Sequence, residues 1–260
     1  MISKASQKYY SSLKKRKTRD REQRFLIEGL RLCEEVLDSN YEVETALFCA
    51  ALLTSEREHE LLDTLRRRGI SVLEISLADL KRLGETVNSS GIICVVKKPE
   101  FDLNEIVSRR PRLLIALDRI GDPGNLGTIV RTGNWFGAAA VLLSEESVEV
   151  TNPKVVRASM GGVFHLPVFE NCYLEEKLKI LKNAGYQLWV AAADGDVDYR
   201  RSNFGEWNIL VLGNEIEGVH HSIKALANGI LKIPKPGKGE SLNVAVAAGI
   251  LLAEMDRGVE

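Results

Sequence analysis

The feature that most constrains this chain is a unit that recurs from Arg112 onward: an apolar run, a loop holding Gly, Asn or Asp, and then a helical stretch. The runs fall at residues 113–117, 139–143, 187–192, 209–212 and 230–233. Each run is apolar throughout rather than alternating, so both of its faces must be covered, which points to a parallel sheet between helices. The pattern predicts an α/β domain over residues 112–260. Such sheets bind ligands where their strands end.

The residues before this domain read differently. Apolar residues at helical spacing predict a helix over 25–37, β-branched runs predict strands at 45–49 and 70–75, and a charged-faced helix is expected at 61–68. A continuous apolar run at 91–96, followed by Lys97, Lys98 and Pro99, predicts a buried last strand and then a linker. The chain is therefore expected to divide into a small domain at 1–98, a linker at 99–111 and the sheet domain at 112–260. With 260 residues and 45% hydrophobic content, it can bury a full core.

A formal net charge of -1 hides a basic start, where Lys4, Lys8, Lys14, Lys15, Arg16, Lys17, Arg19, Arg21 and Arg24 face only Asp20 and Glu22. Such a run is either a solvated mobile tail or a surface that tracks nucleic-acid phosphates, and Tyr9, Tyr10 and Phe25 nearby could stack on bases. No apolar run approaches the length needed to cross a bilayer, and the start lacks the hydrophobic core of a secretory signal, so no membrane partner and a cytoplasmic address are expected. Cys33, Cys49, Cys94 and Cys172 are scattered and read as reduced core thiols. His59, His165, His220 and His221 have no metal-ligand spacing, so no metal is expected, and His165 reads as structural.

Three loops carry the chemical signal. The first, residues 117–137, leads from a strand into a helix through Gly, Pro and Asn, with Asn125, Gly127 and Arg131 at its heart. Backbone N–H groups at a helix start favour phosphate, and Arg131 lies one to two turns further on. The second, residues 210–219, ends a strand directly in Gly213, Asn214 and Glu215, with Gly218 following; glycine at a strand end permits close backbone approach of a ligand. Read alone, it is as well explained by an ordinary strand-to-helix turn. The third, residues 233–251, passes from a Pro/Gly-rich loop into an Ala-rich helix beginning near Ser241, which reads as its N-cap or first-turn residue. No GxxxxGK[ST] loop, GxGxxG fingerprint or nucleophile elbow occurs, which disfavours P-loop enzymes, ordinary dehydrogenases and serine hydrolases.

The three loops, in this order, resemble the signature motifs of the SpoU or TrmH family of RNA 2′-O-ribose methyltransferases, within the SPOUT superfamily. The match covers about residues 112–257 and is carried by Asn125, Gly127 and Arg131, by Gly213, Asn214, Glu215 and Gly218, and by Pro234, Gly237, Ser241, Leu242 and Asn243. The resemblance implies a parallel-sheet domain with a deep C-terminal trefoil knot that holds S-adenosylmethionine, with no metal. It implies donor contacts at Gly213, Ile233 and Leu242, with Leu212, Asn214, Gly218 and Ala192 beside them, and a homodimer through the knotted domain. The first hundred residues look like the α/β substrate-recognition domain of ribosomal-RNA members, related to ribosomal proteins that bind RNA. Ribosomal RNA of the 23S type is thus the expected substrate, with Lys14, Lys15, Arg16, Lys17 and Arg24 as candidate RNA contacts. Transfer RNA as substrate, or an idle RNA-binding module of the same fold, are the alternatives.

Ribose methylation needs donor and acceptor in line and the loss of the hydroxyl proton. By the same resemblance Arg131, Asn125, Glu215, Ser241 and Asn243 are the candidate catalytic residues. An arginine guanidinium has a pKa above about 12, which makes a simple general-base role awkward. Arg131 is better suited to bind the adjacent phosphate and polarise the developing alkoxide.

Overall fold

In the computed structural model the described residues are 2–85, 90–238 and 241–257, and the chain divides into two compact units. The first comprises residues 1–100 and 151–164, the second 101–150 and 165–260.

In the first unit, strands β1 (Arg24–Glu28), β2 (Glu42–Phe48), β3 (Ser71–Glu74) and β4 (Ile92–Lys97) lie in the order β1-β4-β2-β3. β4 runs antiparallel to both neighbours, and β3 is parallel to β2. Helices α1 (Lys4–Ser12), α2 (Arg16–Glu22), α3 (Leu30–Glu35), α4 (Glu56–Arg67) and α5 (Leu77–Leu83) surround it. Alternation along β4 puts Ile93 and Val95 into a core with Tyr10, Leu13, Leu47, Leu80 and Leu83. Cys94 meets Cys33 instead, and that hydrogen bond, with burial, holds the Cys33 thiol well above its usual range. All four cysteines are free and buried, as expected. α4 starts on a capping box, Ser55 accepting from the Glu58 N–H while the Glu58 carboxylate accepts from the Ser55 N–H, and it buries Leu61, Leu62 and Leu65.

One reading of this part needs correction, and one alternative falls away. Residues 25–37 are not one helix: Gly29 at φ 107° breaks the segment, and the Phe25-Leu26-Ile27 run before it pairs with β4. Aromatic and β-branched side chains fit a pleated surface better than they fit a helix. The basic start is no mobile tail either, because α1 delivers Tyr10 and the turn after it delivers Leu13 to the core.

The second unit holds a seven-stranded sheet in which every pairing is parallel. Its strands are β5 (Leu113–Asp118), β6 (Val141–Ser144), β7 (Val168–Cys172), β8 (Gln187–Ala191), β9 (Val197–Asp198), β10 (Asn208–Gly213) and β11 (Gly229–Lys232), in the order β7-β6-β5-β10-β8-β11-β9. All five apolar runs are strands, and β5 and β10 are buried along their whole length. β7 and β9 were not anticipated: β7 has buried ends around a more exposed polar middle, β9 has two residues, and both are edge strands. The unit's helices are α6 (Leu103–Ser108), α7 (Pro123–Trp135), α9 (Leu174–Asn183), α10 (His221–Lys224) and α11 (Val244–Arg257); α8 (Pro153–Ser159) belongs to the first unit. Leu103, Ile106 and Val107 pack α6 onto the core of the second unit. Among the described residues no helix is long and apolar enough to cross a membrane.

The connection after β5 leads to β6 on one side of it, and the connection after β10 leads to β11 on the other side. The C-terminal ends of β5 and β10 therefore flank a switch point, the place where open parallel sheets form ligand crevices.

Candidate active site

The first wall of the site is the turn from β5 into α7. Asp122 caps the helix by accepting from the Asn125 N–H at 2.8 Å, and Pro123 fills the first helical position, where its missing N–H costs nothing. α7 buries Leu126, Gly127, Ile129, Val130 and Gly133, and it leaves Arg131 on the solvent side. Among the described residues Arg131 has no hydrogen-bond or ion-pair partner. Its guanidinium is thus available to an external anion.

The second wall is the excursion that follows β10. Asn214 pairs with Gly218 across it, the Asn214 Oδ1 accepts from the Ile216 N–H at 2.8 Å, and Gly218 takes φ 68°. A Cβ at Gly213 would lie 2.3 Å from Gly218 C and Val219 N. The requirement for glycine at 213 therefore comes from the chain's own return, and no ligand is needed to explain it. Glu215, Ile216 and Glu217 are left exposed at the tip.

Asn125 joins the three loops. Its Nδ2 donates to Glu215 Oε1 at 2.6 Å, and its Oδ1 accepts from Asn243 Nδ2 at 2.8 Å. Asn243 in turn caps α11, its Oδ1 accepting from the Ala245 N–H at 2.9 Å. The cap is therefore Asn243 and not Ser241, which is exposed and lies outside this cluster. An Asx side chain takes the cap over a serine two residues earlier because the chain becomes helical only at Val244.

The remaining candidates line the strand ends. Ala192 follows β8 and donates its N–H to Leu231 O at 2.9 Å; Leu212 and Gly213 end β10; Ile233 follows β11. These strands are neighbours, so main-chain polar groups and small or apolar side chains collect at one edge of the sheet. Leu242, just before α11, is 51% exposed. No group of three or more His, Cys, Asp or Glu among the described residues could hold a metal.

In the first unit the basic candidates differ from one another. Lys14 Nζ donates to Arg82 O at 2.7 Å and Gly84 O at 3.0 Å, closing the end of α5. Arg24 makes a two-point pair with Glu44, both contacts at 2.6 Å, and that hydrogen bond raises its pKa. Lys15, Arg16 and Lys17 are exposed; Arg16 stands 3.7 Å from Asp20.

Sequence reasoning passed over two residues at the end of β5. Asp118 is buried; its Oδ2 accepts from the His220 N–H at 2.8 Å. Arg119 hydrogen-bonds Glu217, and its Nη2 donates to Gly218 O at 3.3 Å. The Asp118 carboxylate first, and Glu217 after it, hold the Arg119 pKa above its ordinary value. The available signal was an Asp-Arg pair at the end of a wholly apolar strand, where a buried charge requires a partner.

Residues 112–253 match the SpoU rRNA Methylase family, and residues 5–94 match the MRM3-like substrate binding domain. The chain is 30% identical over 256 residues to a 23S rRNA (uridine(2479)-2′-O)-methyltransferase of Streptomyces viridochromogenes, spanning 96% of this chain and 88% of that one. The structure of an AdoMet-bound rRNA methyltransferase from Sinorhizobium meliloti superposes with a TM-score of 0.88 at 29% identity, covering 100% of this chain and 97% of the other. A shorter structure, concerned with 2-OH methylation of C/U34 on tRNA, gives a TM-score of 0.52 at 27% identity and covers 61% of this chain and 98% of its own. The chain belongs to the SpoU rRNA methylase family.

Proposed function

We propose that this protein transfers a methyl group from S-adenosylmethionine to a ribose 2′-hydroxyl of ribosomal RNA of the 23S type. The observation that carries the reading is the junction at Asn125, where side chains from three loops meet beside the helix that bears Arg131. The relative of known substrate spans both units of the chain, and the shorter tRNA-related structure covers 61% of it, which favours ribosomal over transfer RNA.

The ends of β8, β10 and β11 suit the donor, which main-chain groups of Ala192, Leu212, Gly213, Asn214 and Ile233 would hold, with Gly218 and Leu242 beside them. Bound there, S-adenosylmethionine supplies an electrophilic methyl on a sulfonium. Arg131 binds the phosphate next to the target ribose and stabilises the oxygen as its proton leaves. Asn125 orients Glu215 and Asn243, and Ser241 positions the ribose or its phosphate. Lys14, Lys15, Arg16, Lys17 and Arg24 hold RNA on the first unit, with Lys15, Arg16 and Lys17 the exposed members.

A deep trefoil knot and a homodimer belong to the same proposal. The knot is supported by the packing of α11 on α7 and β10. The dimer is supported by apolar surface on α7 and α11, where Trp135 is 83% and Val246 51% exposed. A cytoplasmic location accords with the substrate.

Labelled methyl from S-adenosylmethionine, offered to unmodified large-subunit ribosomal RNA, should enter it at one ribose and protect the following phosphodiester from alkali. Label entering transfer RNA instead, or entering no RNA, would overturn the reading.

A further inference from the structure

Among the described residues five non-glycines have left-handed backbone: Gln23, Arg110, Arg119, Met160 and Asn171. Gln23, Arg110 and Met160 follow helix ends, where this conformation is common, and Asn adopts it readily. Arg119, at φ 56°, follows a strand and has neither reason. A strained conformation persists only where the surroundings fix it, and it is a pointer toward a role.

The surroundings of Arg119 connect one turn to another. Its N–H donates to Ser144 Oγ at 2.7 Å, and its C=O accepts from Asn214 Nδ2 at 3.0 Å. The guanidinium reaches Asp118 at 3.3 Å, Gly218 O at 3.3 Å and the Glu217 carboxylate, while Asp118 holds the His220 N–H. Positions 214, 217, 218 and 220 are thus all tied to the Asp118-Arg119 dipeptide. Glu215 sits inside this bracket, with its carboxylate on Asn125. Its side chain is exposed, so the rest of the excursion must be held for that contact to keep its place.

We infer that Arg119 is a positioning residue: by clamping the excursion at Asn214, Glu217 and Gly218 it holds Glu215 on Asn125, and so keeps the junction of the three loops assembled for methyl transfer. The inference rests on the methyltransferase reading for its effect on rate, but not for its effect on the loop. Arg119 touches neither RNA nor donor in this scheme.

The test uses Arg119→Gly in the full-length protein, since glycine accepts the left-handed backbone, keeps the main-chain bonds to Ser144 and Asn214, and removes the side chain that holds Glu217 and Gly218. Steady-state transfer of labelled methyl into unmodified large-subunit ribosomal RNA, thermal melting, and hydrogen exchange of residues 213–220 are measured together. We expect kcat to fall about tenfold with KM for RNA changed less than about twofold, the loss that a misplaced positioning group produces. Exchange at 213–220 should rise more than elsewhere in the chain, and the melting temperature should fall as well, because the buried Asp118 carboxylate loses its charged partner. Glu217→Gln should give a smaller loss, and the double variant should be no worse than Arg119→Gly, as shared partners require. Unchanged kcat with unchanged exchange overturns the inference, and so does a weakened S-adenosylmethionine affinity with unchanged kcat. If the wild type transfers no methyl to RNA, the methyltransferase reading falls, and the exchange measurement alone then decides the clamp: faster exchange in Arg119→Gly upholds it, and equal exchange ends it.

Discussion

Asn243 holds Asn125 at 2.8 Å across 118 residues of sequence, and the same side chain caps α11 through its other amide atom. The two jobs are separable. Asn243→Asp keeps the acceptor that caps the helix and loses the Nδ2 donor, whereas Asn243→Ala loses both. We expect the alanine variant to be destabilised by about 1 kcal/mol in urea unfolding, the usual value of a missing cap. The aspartate variant should unfold like the wild type and yet share the loss of methyl transfer.

Arg131 is exposed and unpartnered among the described residues, so its replacement should leave the fold alone. Arg131→Lys keeps the charge and removes the planar fork that grips a phosphate at two points. Methyl transfer should drop at least about 100-fold, the scale of removing one transition-state donor. Calorimetric titration should find S-adenosylmethionine binding nearly intact, and a fully active lysine variant would remove Arg131 from its assigned place.

Gly213 tests packing instead of chemistry. With a Cβ 2.3 Å from Gly218 C and Val219 N, Gly213→Ala forces main chain apart, which should cost about 3 kcal/mol in denaturant unfolding. Gly218→Ala meets no atom within 4 Å and suffers only from its φ of 68°, so it should cost less, about 1 kcal/mol. The order of the two variants is the decisive outcome.

For the first unit, neutralising Lys15, Arg16 and Lys17 together as glutamines should weaken RNA binding and flatten its dependence on salt. For every phosphate that no longer meets a positive side chain, the slope of log affinity against log salt falls by about 0.7 to 0.9. Circular dichroism should show the fold unchanged, because all three side chains are exposed. Removing residues 1–18 would be a poor substitute, since Tyr10 and Leu13 are core residues and the unit would unfold with them gone.

Much of the second unit was legible because its strands obey one rule. A strand buried on both faces is apolar at every position, and β5 and β10 each carry such a run. β7 escaped because an edge strand can carry a half-buried Glu170 and an exposed Asn171 and so breaks the pattern. The strand half of residues 25–37 escaped because its alternation is too short to compete with the helical spacing that follows. In the site, the members of the Asn125 junction were readable by residue type, but not the bonds between them, which depend on where two distant loops cross. The left-handed backbone of Arg119 was invisible for a different reason: nothing in sequence marks a backbone angle, and arginine is an unusual occupant of that region.

The dependence of Asn125 on Asn243 also sets an order in time. Every other member of the junction precedes Asn243 along the chain, and α11, which packs on α7, follows it. During synthesis the sheet can be nearly complete while Asn125 still lacks one of its two anchors. Catalytic competence should therefore switch on late, when residues 243–257 have emerged and docked, and a nascent chain arrested before that point should be folded in large part yet inert toward RNA.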